Sequence, residues 1–201
     1  MGRKRTIDQQ EILNAAEFVV ARDGAARLTL EALAERAGVS KASVIYDFKS
    51  KQALIEAVVQ RALRNDNAFN DGVTEKLGNI TSSVVRGRIV AASEPFPDEF
   101  RAVALNLCAA LAQDAQLRRA IQANQAAVID RIMRTSTNPR GAFLAYLALE
   151  GLKLLESLDY HTWPRQERAK ILREINWLID ARPEHVKPLP KMRPVVAAEP
   201  V

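Results

Sequence analysis

Three helix starts and two glycine stops are compressed into "DGAARLTLEALAERAGVSKASVIYDFKSKQALI", residues 23 to 55, and this punctuation restricts the fold more than any other feature of the chain. Thr29 stands where a side-chain oxygen can cap a helix whose apolar residues Leu30, Leu33, Ala34 and Ala37 recur at i, i+3, i+4 and i+7. Leu28 and Leu33 supply its hydrophobic staple, and Gly38 can end it in a left-handed turn. Ser40 can cap again, with Val39 and Val44 as a second staple, so only "GVS" separates two helices. A glycine turn that short gives the spacing of a helix-turn-helix.

The flanking sequence is helical too. Asp8 with Glu11, stapled by Ile7 and Ile12, or equally Thr6 with Gln9, opens a first helix. Its apolar stripe is Ile12, Ala16, Val19 and Val20, with Leu13 beside it, and Gly24 closes it. From Ser50 a longer helix runs through Ala53, Leu54, Ala57, Val58 and Leu63 and weakens around "NDNAFNDG". Further helices are predicted near 74–92, 98–112, 115–134, 139–159 and 164–181, the fourth of them started by Asn138 before Pro139. With 48% hydrophobic and 26% charged residues, few β-branched runs, and no convincing strand or repeat, the chain is expected to be all-α. Residues 1–50 read as a three-helix helix-turn-helix domain with a basic arm, 51–181 as a larger helical bundle, and the proline-rich 182–201 as a disordered tail.

Turning Val44 and Phe48 of the third helix inward, as their i, i+4 spacing invites, leaves Ala42, Ser43 and Tyr46 facing away. Small residues at 42 and 43 permit close approach to a surface, a hydroxyl can meet a base edge or phosphate, and Tyr46 adds reach. Backbone amides at Ser40 and Lys41 suit an anion, while Lys49, Lys51 and the arm Arg3, Lys4 and Arg5 can neutralise phosphates. Net charge +5 and a pI near 9.6 permit a polyanionic partner without requiring one. The arrangement points to a helix entering a DNA major groove. The bland alternative is a bundle with a tight turn, solvated lysines and a surface tyrosine.

At these residues the chain also resembles a family. "QQEILNAAEFVVARDG" followed by "LTLEALAERAGVSKASVIYDFKSKQALI" is similar to the N-terminal domain of the tetracycline-repressor-like (TetR) family of bacterial transcriptional regulators, and "ALEGLKLLESLDYHTWPRQERAKIL" resembles its last two helices. The resemblance implies Thr29 and Lys51 on phosphates, and Lys41, Ala42, Ser43, Tyr46 and Asp47 at or near base edges of a double-stranded operator. One departure is local: the family usually carries a phosphate-contacting tyrosine where Ile45 stands, and here tyrosine comes one place later. A ligand-responsive homodimeric repressor is the implied function, with effector binding moving the helix after Ser50. The alternatives are a helical adaptor for protein partners and an effector-independent architectural or activator protein. A cavity of roughly 300 Å³ or more would separate that last alternative from the first reading.

The rest of the chain bears on that reading. "RGAFLAYLALEGLKLLESL" is apolar nearly all round, with Phe143, Leu147, Leu154 and Leu158 on one side and Leu144, Leu152 and Leu155 on others. With Trp177 set opposite the stripe of the last helix, it suggests a dimer interface at Leu144, Leu152, Leu155 and Trp177. Candidates for an effector pocket are Phe100, Leu107, Asn124, Val128, Phe143, Tyr146 and Glu150, of which Asn124 and Glu150 are polar residues among apolar ones. The lone Cys108 reads as a small core hydrophobe, and His161 and His185 lack clustered partners, so no metal, cofactor or catalytic constellation is expected. No apolar run approaches the roughly 18 residues needed to span a bilayer. "MGRKRT" fits the myristoylation pattern, but so short a pattern recurs by chance; a cytoplasmic location is expected.

Overall fold

The computed structural model describes residues 9–24, 27–94 and 114–182, and among them the fold is all-α. Its eight helices are α1 (Gln9–Asp23), α2 (Leu30–Ala37), α3 (Lys41–Asp47), α4 (Lys51–Lys76), α5 (Ser83–Ala91), α6 (Ala115–Thr135), α7 (Pro139–Ser157) and α8 (Arg165–Leu178). The arm Arg3, Lys4 and Arg5, the helix expected at 98–112 with Phe100, Leu107 and Cys108, and the proline-rich tail lie outside the described residues.

The punctuation read from the sequence acts as expected. Gly24 takes a φ of 84°, and the Thr29 hydroxyl accepts from the Ala32 N–H at 3.1 Å to start α2. Gly38 adopts a φ of 65°, and the Val39 N–H returns to the Ala34 carbonyl at 2.9 Å. The Ser40 and Ser50 hydroxyls then accept from the Ser43 and Ala53 amides, each at 3.1 Å.

Two expectations in the middle of the chain fail for identifiable reasons. The helix does not weaken at "NDNAFNDG", because α4 continues to Lys76. Its polar residues there are partnered: Asn67 bonds Arg88 and Asn124, Asp71 bonds Arg131, and the Asn70 amide donates to the Asp66 carbonyl. The helix expected over 74–92 is instead interrupted between Leu77 and Ser82, where Gly78 (φ 70°) and Ser82 (φ 57°) are left-handed. The chain reverses there and lays α5 against α4. Gly87 permits the approach, since a Cβ at that position would meet the Thr74 Cα at 3.0 Å.

Packing divides into two cores. Val20, Leu33, Val44, Leu54 and Val58 join α1 to α4, and Leu117 of α6 is inserted among them. Val85, Ile132, Leu149 and Ile179 centre the second, built from α5 to α8. Buried Arg61 of α4 clamps α1, donating to Glu17 at 2.8 Å and Asn14 at 2.9 Å. Asn138 starts α7 and also holds the end of α8, its amide nitrogen donating to the Ile179 and Ala181 carbonyls at 2.9 Å each.

That junction yields a stability prediction. A methyl on Gly141 would stand 2.5 Å from the Ile179 carbonyl oxygen and 2.6 Å from that of Leu178. Gly141→Ala should therefore destabilise the protein by about 1–3 kcal/mol in urea unfolding. Gly72→Ala, where a Cβ meets nothing within 4 Å, should leave stability unchanged or raise it by up to about 1 kcal/mol.

Candidate nucleic-acid interface

The three-helix head holds α3 by one side. Val44 is 0% and Phe48 8% exposed, packed with Leu28, Leu33 and Ile12, so the inward pair is the one the spacing predicted. Seven residues leave little room for ambiguity: the opposite side carries Ala42, exposed, and Tyr46, 86% exposed, with Ile45 beside them at 42%. A large aromatic so open, one turn from an alanine that lets backbone come close, gives this face the reach and the clearance that reading a base edge requires.

Several of the charged and hydroxyl groups around this face have partners within the chain. The Ser40 and Ser43 hydroxyls are 2.7 Å apart, and the Ser43 amide is already capped, which leaves the Lys41 and Ala42 N–H groups at the helix start. Lys41 is ion-paired with Glu31 of α2; that hydrogen bond first, and the adjacent charge last, hold the Glu31 carboxyl below its usual range. Both groups are exposed, so the pair can be exchanged for a phosphate. Thr29 is exposed and, having accepted from Ala32, keeps its O–H as a donor. Lys49 is exposed, while Lys51 at the start of α4 is half-buried and engaged.

One predicted base contact is placed elsewhere. Asp47 is half-buried and accepts from the Gln9 amide of α1 at 3.3 Å, so its carboxylate belongs to the α1–α3 contact rather than to the outer face. The Gln9 amide is neutral, so this hydrogen bond positions the Asp47 carboxylate without cancelling its charge.

Behind the head, α4 and α6 link it to the second core. Gln52 at the start of α4 donates to Asp114, the cap of α6, whose carboxyl lies below the ordinary aspartate range chiefly because the Leu117 amide donates to it. Further along, α4, α5 and α6 enclose a partly open cleft of about 160 Å³ lined by Asn67, Asp71, Val84, Arg88, Asn124, Ala127, Val128 and Arg131. Two expected pocket residues, Asn124 and Val128, are in this lining. Three are not: Tyr146 is 2% exposed in the second core with its hydroxyl donating to Gln125, Glu150 pairs with Lys153 at 3.1 Å, and Phe143 is half-buried beneath Arg140. Burial, and then the nearby Glu150 charge, push the Tyr146 hydroxyl far up from its ordinary value. Sequence reading missed Arg88 and Asn67; Arg88 continues the inward stripe Val84, Val85 and Ile89 of "VVRGRIV", and a charge on such a stripe was the available signal.

The expected dimer face is partly reassigned. Leu152 points into the protomer's own second core at 5% exposure, because it follows Ala145 and Leu149 on the stripe that meets α8. The exposed apolar residues of α7 are Leu147, Leu154 and Leu155, with Leu144 half-buried, and Trp177 of α8 is 66% exposed.

Known proteins carry the same two parts. The profile of "Bacterial regulatory proteins, tetR family" matches residues 12–58, and that of "Tetracyclin repressor-like, C-terminal domain" matches residues 82–180. Among solved structures, a protein assigned as a transcriptional regulator from Streptomyces coelicolor A3(2) superposes with a TM-score of 0.69 at 19% identity, covering 86% of this chain and 98% of its own. One assigned to TetR-family regulators, from Rhodococcus sp., gives 0.67 at 20%, covering 85% and 98%. A third, from Saccharomonospora viridis in complex with choline, gives 0.65 at 16%, covering 86% and 95%. No curated protein matches the chain at a significant level.

Proposed function

Since this chain belongs to the TetR family of bacterial transcriptional regulators, and is therefore a DNA-binding regulator and not an enzyme, we propose that it acts as a homodimeric repressor released from its operator by a small ligand. The observation that carries the DNA half is the orientation of α3, with Val44 and Phe48 inward and Ala42 and Tyr46 outward. In this reading α3 enters the major groove, Ala42, Ser43 and Tyr46 meet base edges, and Lys41, Lys49, Lys51 and Thr29 bind phosphates. Tyr46 takes the place of the tyrosine missing at Ile45.

Ligand response follows from two helices with two duties each. α4 leads from the head to the cleft at Asn67 and Asp71, and α6 carries Leu117 in the head's core and Asn124 and Val128 in the cleft. A ligand that moves either helix moves the head, and two heads on a dimer must keep their spacing to span two half-sites. The choline complex of the Saccharomonospora viridis protein is a precedent for a small molecule in this fold, although no described lining residue of the present cleft is aromatic, as a quaternary ammonium prefers.

A second reading has an observation of its own. The cleft, at about 160 Å³, is smaller than the roughly 300 Å³ at which ligand pockets ordinarily begin, which favours an effector-independent DNA-binding protein or a very small effector. A helical adaptor without DNA binding is displaced by family membership.

Selection of bound sites from random DNA should return an inverted repeat. With Lys41 and Lys49 of two protomers on phosphates, log affinity should fall against log salt with a slope of about −3.6 or steeper. Asymmetric single sites, or a slope shallower than about −1, would remove this reading.

A further inference from the structure

The polarity of the cleft between α4, α5 and α6 is fixed by its own hydrogen bonds. Arg88 is 7% exposed although it carries a full charge. A guanidinium only donates, so the Asn67 atom 2.9 Å from it is the amide oxygen. That turns the Asn67 nitrogen to Asn124, 2.6 Å away, and Asn124 answers with its own oxygen. The relay from Arg88 through Asn67 to Asn124 therefore runs one way, and both ends are donors.

Among the described residues, neither end finds a further hydrogen-bonded acceptor. The Asp66 carboxylate stands 3.6 Å from Arg88, an ion pair beyond hydrogen-bond range. Arg131 and Asp71 close on each other at 2.6 Å, half exposed, and neutralise one another. Val84, one helical turn from Arg88, and Ala127 and Val128, one turn from Asn124, give the cleft its apolar lining. The volume of about 160 Å³ is close to that of an engineered cavity that takes up benzene.

Resting on the ligand-responsive reading above, we infer that the effector is a small carboxylate with a short apolar body, about six to ten non-hydrogen atoms in all. Its carboxylate accepts from Arg88 and Asn124, and its body lies on Val84 and Val128. An amine of the same size would set a positive charge against the guanidinium and leave both donor ends unanswered.

Calorimetric titration of the full chain, without DNA, tests this with sodium benzoate, sodium butyrate, benzamide and benzylamine. At least one acid should bind about tenfold or more tighter than benzamide, and benzylamine should give no saturable heat. Arg88→Gln should weaken acid binding by about tenfold to a hundredfold. Because removing a buried arginine can unfold the domain, Ala127→Phe is the companion variant: it fills the cleft from an exposed helical position, keeps Arg88, and should abolish acid binding with an unchanged melting curve. Benzamide or benzylamine binding as tightly as the acids, failure of both acids at about 10 mM, or full acid affinity in Ala127→Phe would each overturn the inference. Acid binding that leaves operator affinity unchanged supports the site and removes the ligand-responsive reading. Operator release by a neutral or cationic molecule, with no acid bound, does the reverse.

Discussion

Ala42→Glu should lower operator affinity by about a hundredfold or more while leaving the head folded. Ala42 is exposed and near the start of α3, where glutamate is a good helix former and a negative charge suits the helix dipole, so stability should stay within roughly 0.5 kcal/mol. At the DNA the same side chain has no acceptable position. It adds bulk where α3 approaches base edges and sets a carboxylate between Lys41 and the phosphates. A spoiled base contact costs about 1–3 kcal/mol, a dimer carries two copies, and each 1.4 kcal/mol is tenfold, so a hundredfold loss lies in the lower half of the expected range. Fluorescence anisotropy on the selected operator and urea unfolding measure the two quantities separately. Affinity within roughly threefold of the parent would mean that α3 does not enter the groove.

The reason α3 could be oriented from letters alone is that its constraints are local. Thr29, Gly38, Ser40 and Ser50 act within three or four residues of themselves, and Val44 and Phe48 differ by one helical turn, so no knowledge of distant chain was needed. The same holds at Asn138 and Pro139. What stayed illegible depends on partners far apart in sequence. Helix α4 persists through "NDNAFNDG" because Arg88, Asn124 and Arg131 receive its polar side chains, and no propensity scale contains those residues. The resemblance puts Asp47 near base edges, whereas its hydrogen-bond partner in the fold is Gln9, 38 residues earlier. Arg61 is buried against Glu17, Gln10 and Asn14 of α1, 44 to 51 residues earlier, and nothing beside it in the chain marks that contact. Leu152 was assigned to an interface because α7 is apolar on every side, which leaves its rotation undetermined until α8 packs against one stripe.

That rotation gives the second large effect. Leu154→Glu should raise the dimer dissociation constant by about a hundredfold or more and yield monomers at micromolar concentration in sedimentation. In the protomer Leu154 is 52% exposed, beside Leu155 at 40% and one to two turns from Leu147 at 48%, so a single chain loses little on the substitution. In a twofold dimer that buries this face, each glutamate takes a charge out of water near its symmetry mate, at a cost of several kcal/mol. Operator affinity should fall with it, because a monomer reaches only one half-site. Leu152→Ala separates this face from the core: it should destabilise the protein by about 2–5 kcal/mol through a cavity in the second core, with little change in dimerisation of the protein that remains folded. If Leu154→Glu stays dimeric while Leu152→Ala dissociates, α7 presents a different side to its partner, and the exposed leucines must be covered in some other way.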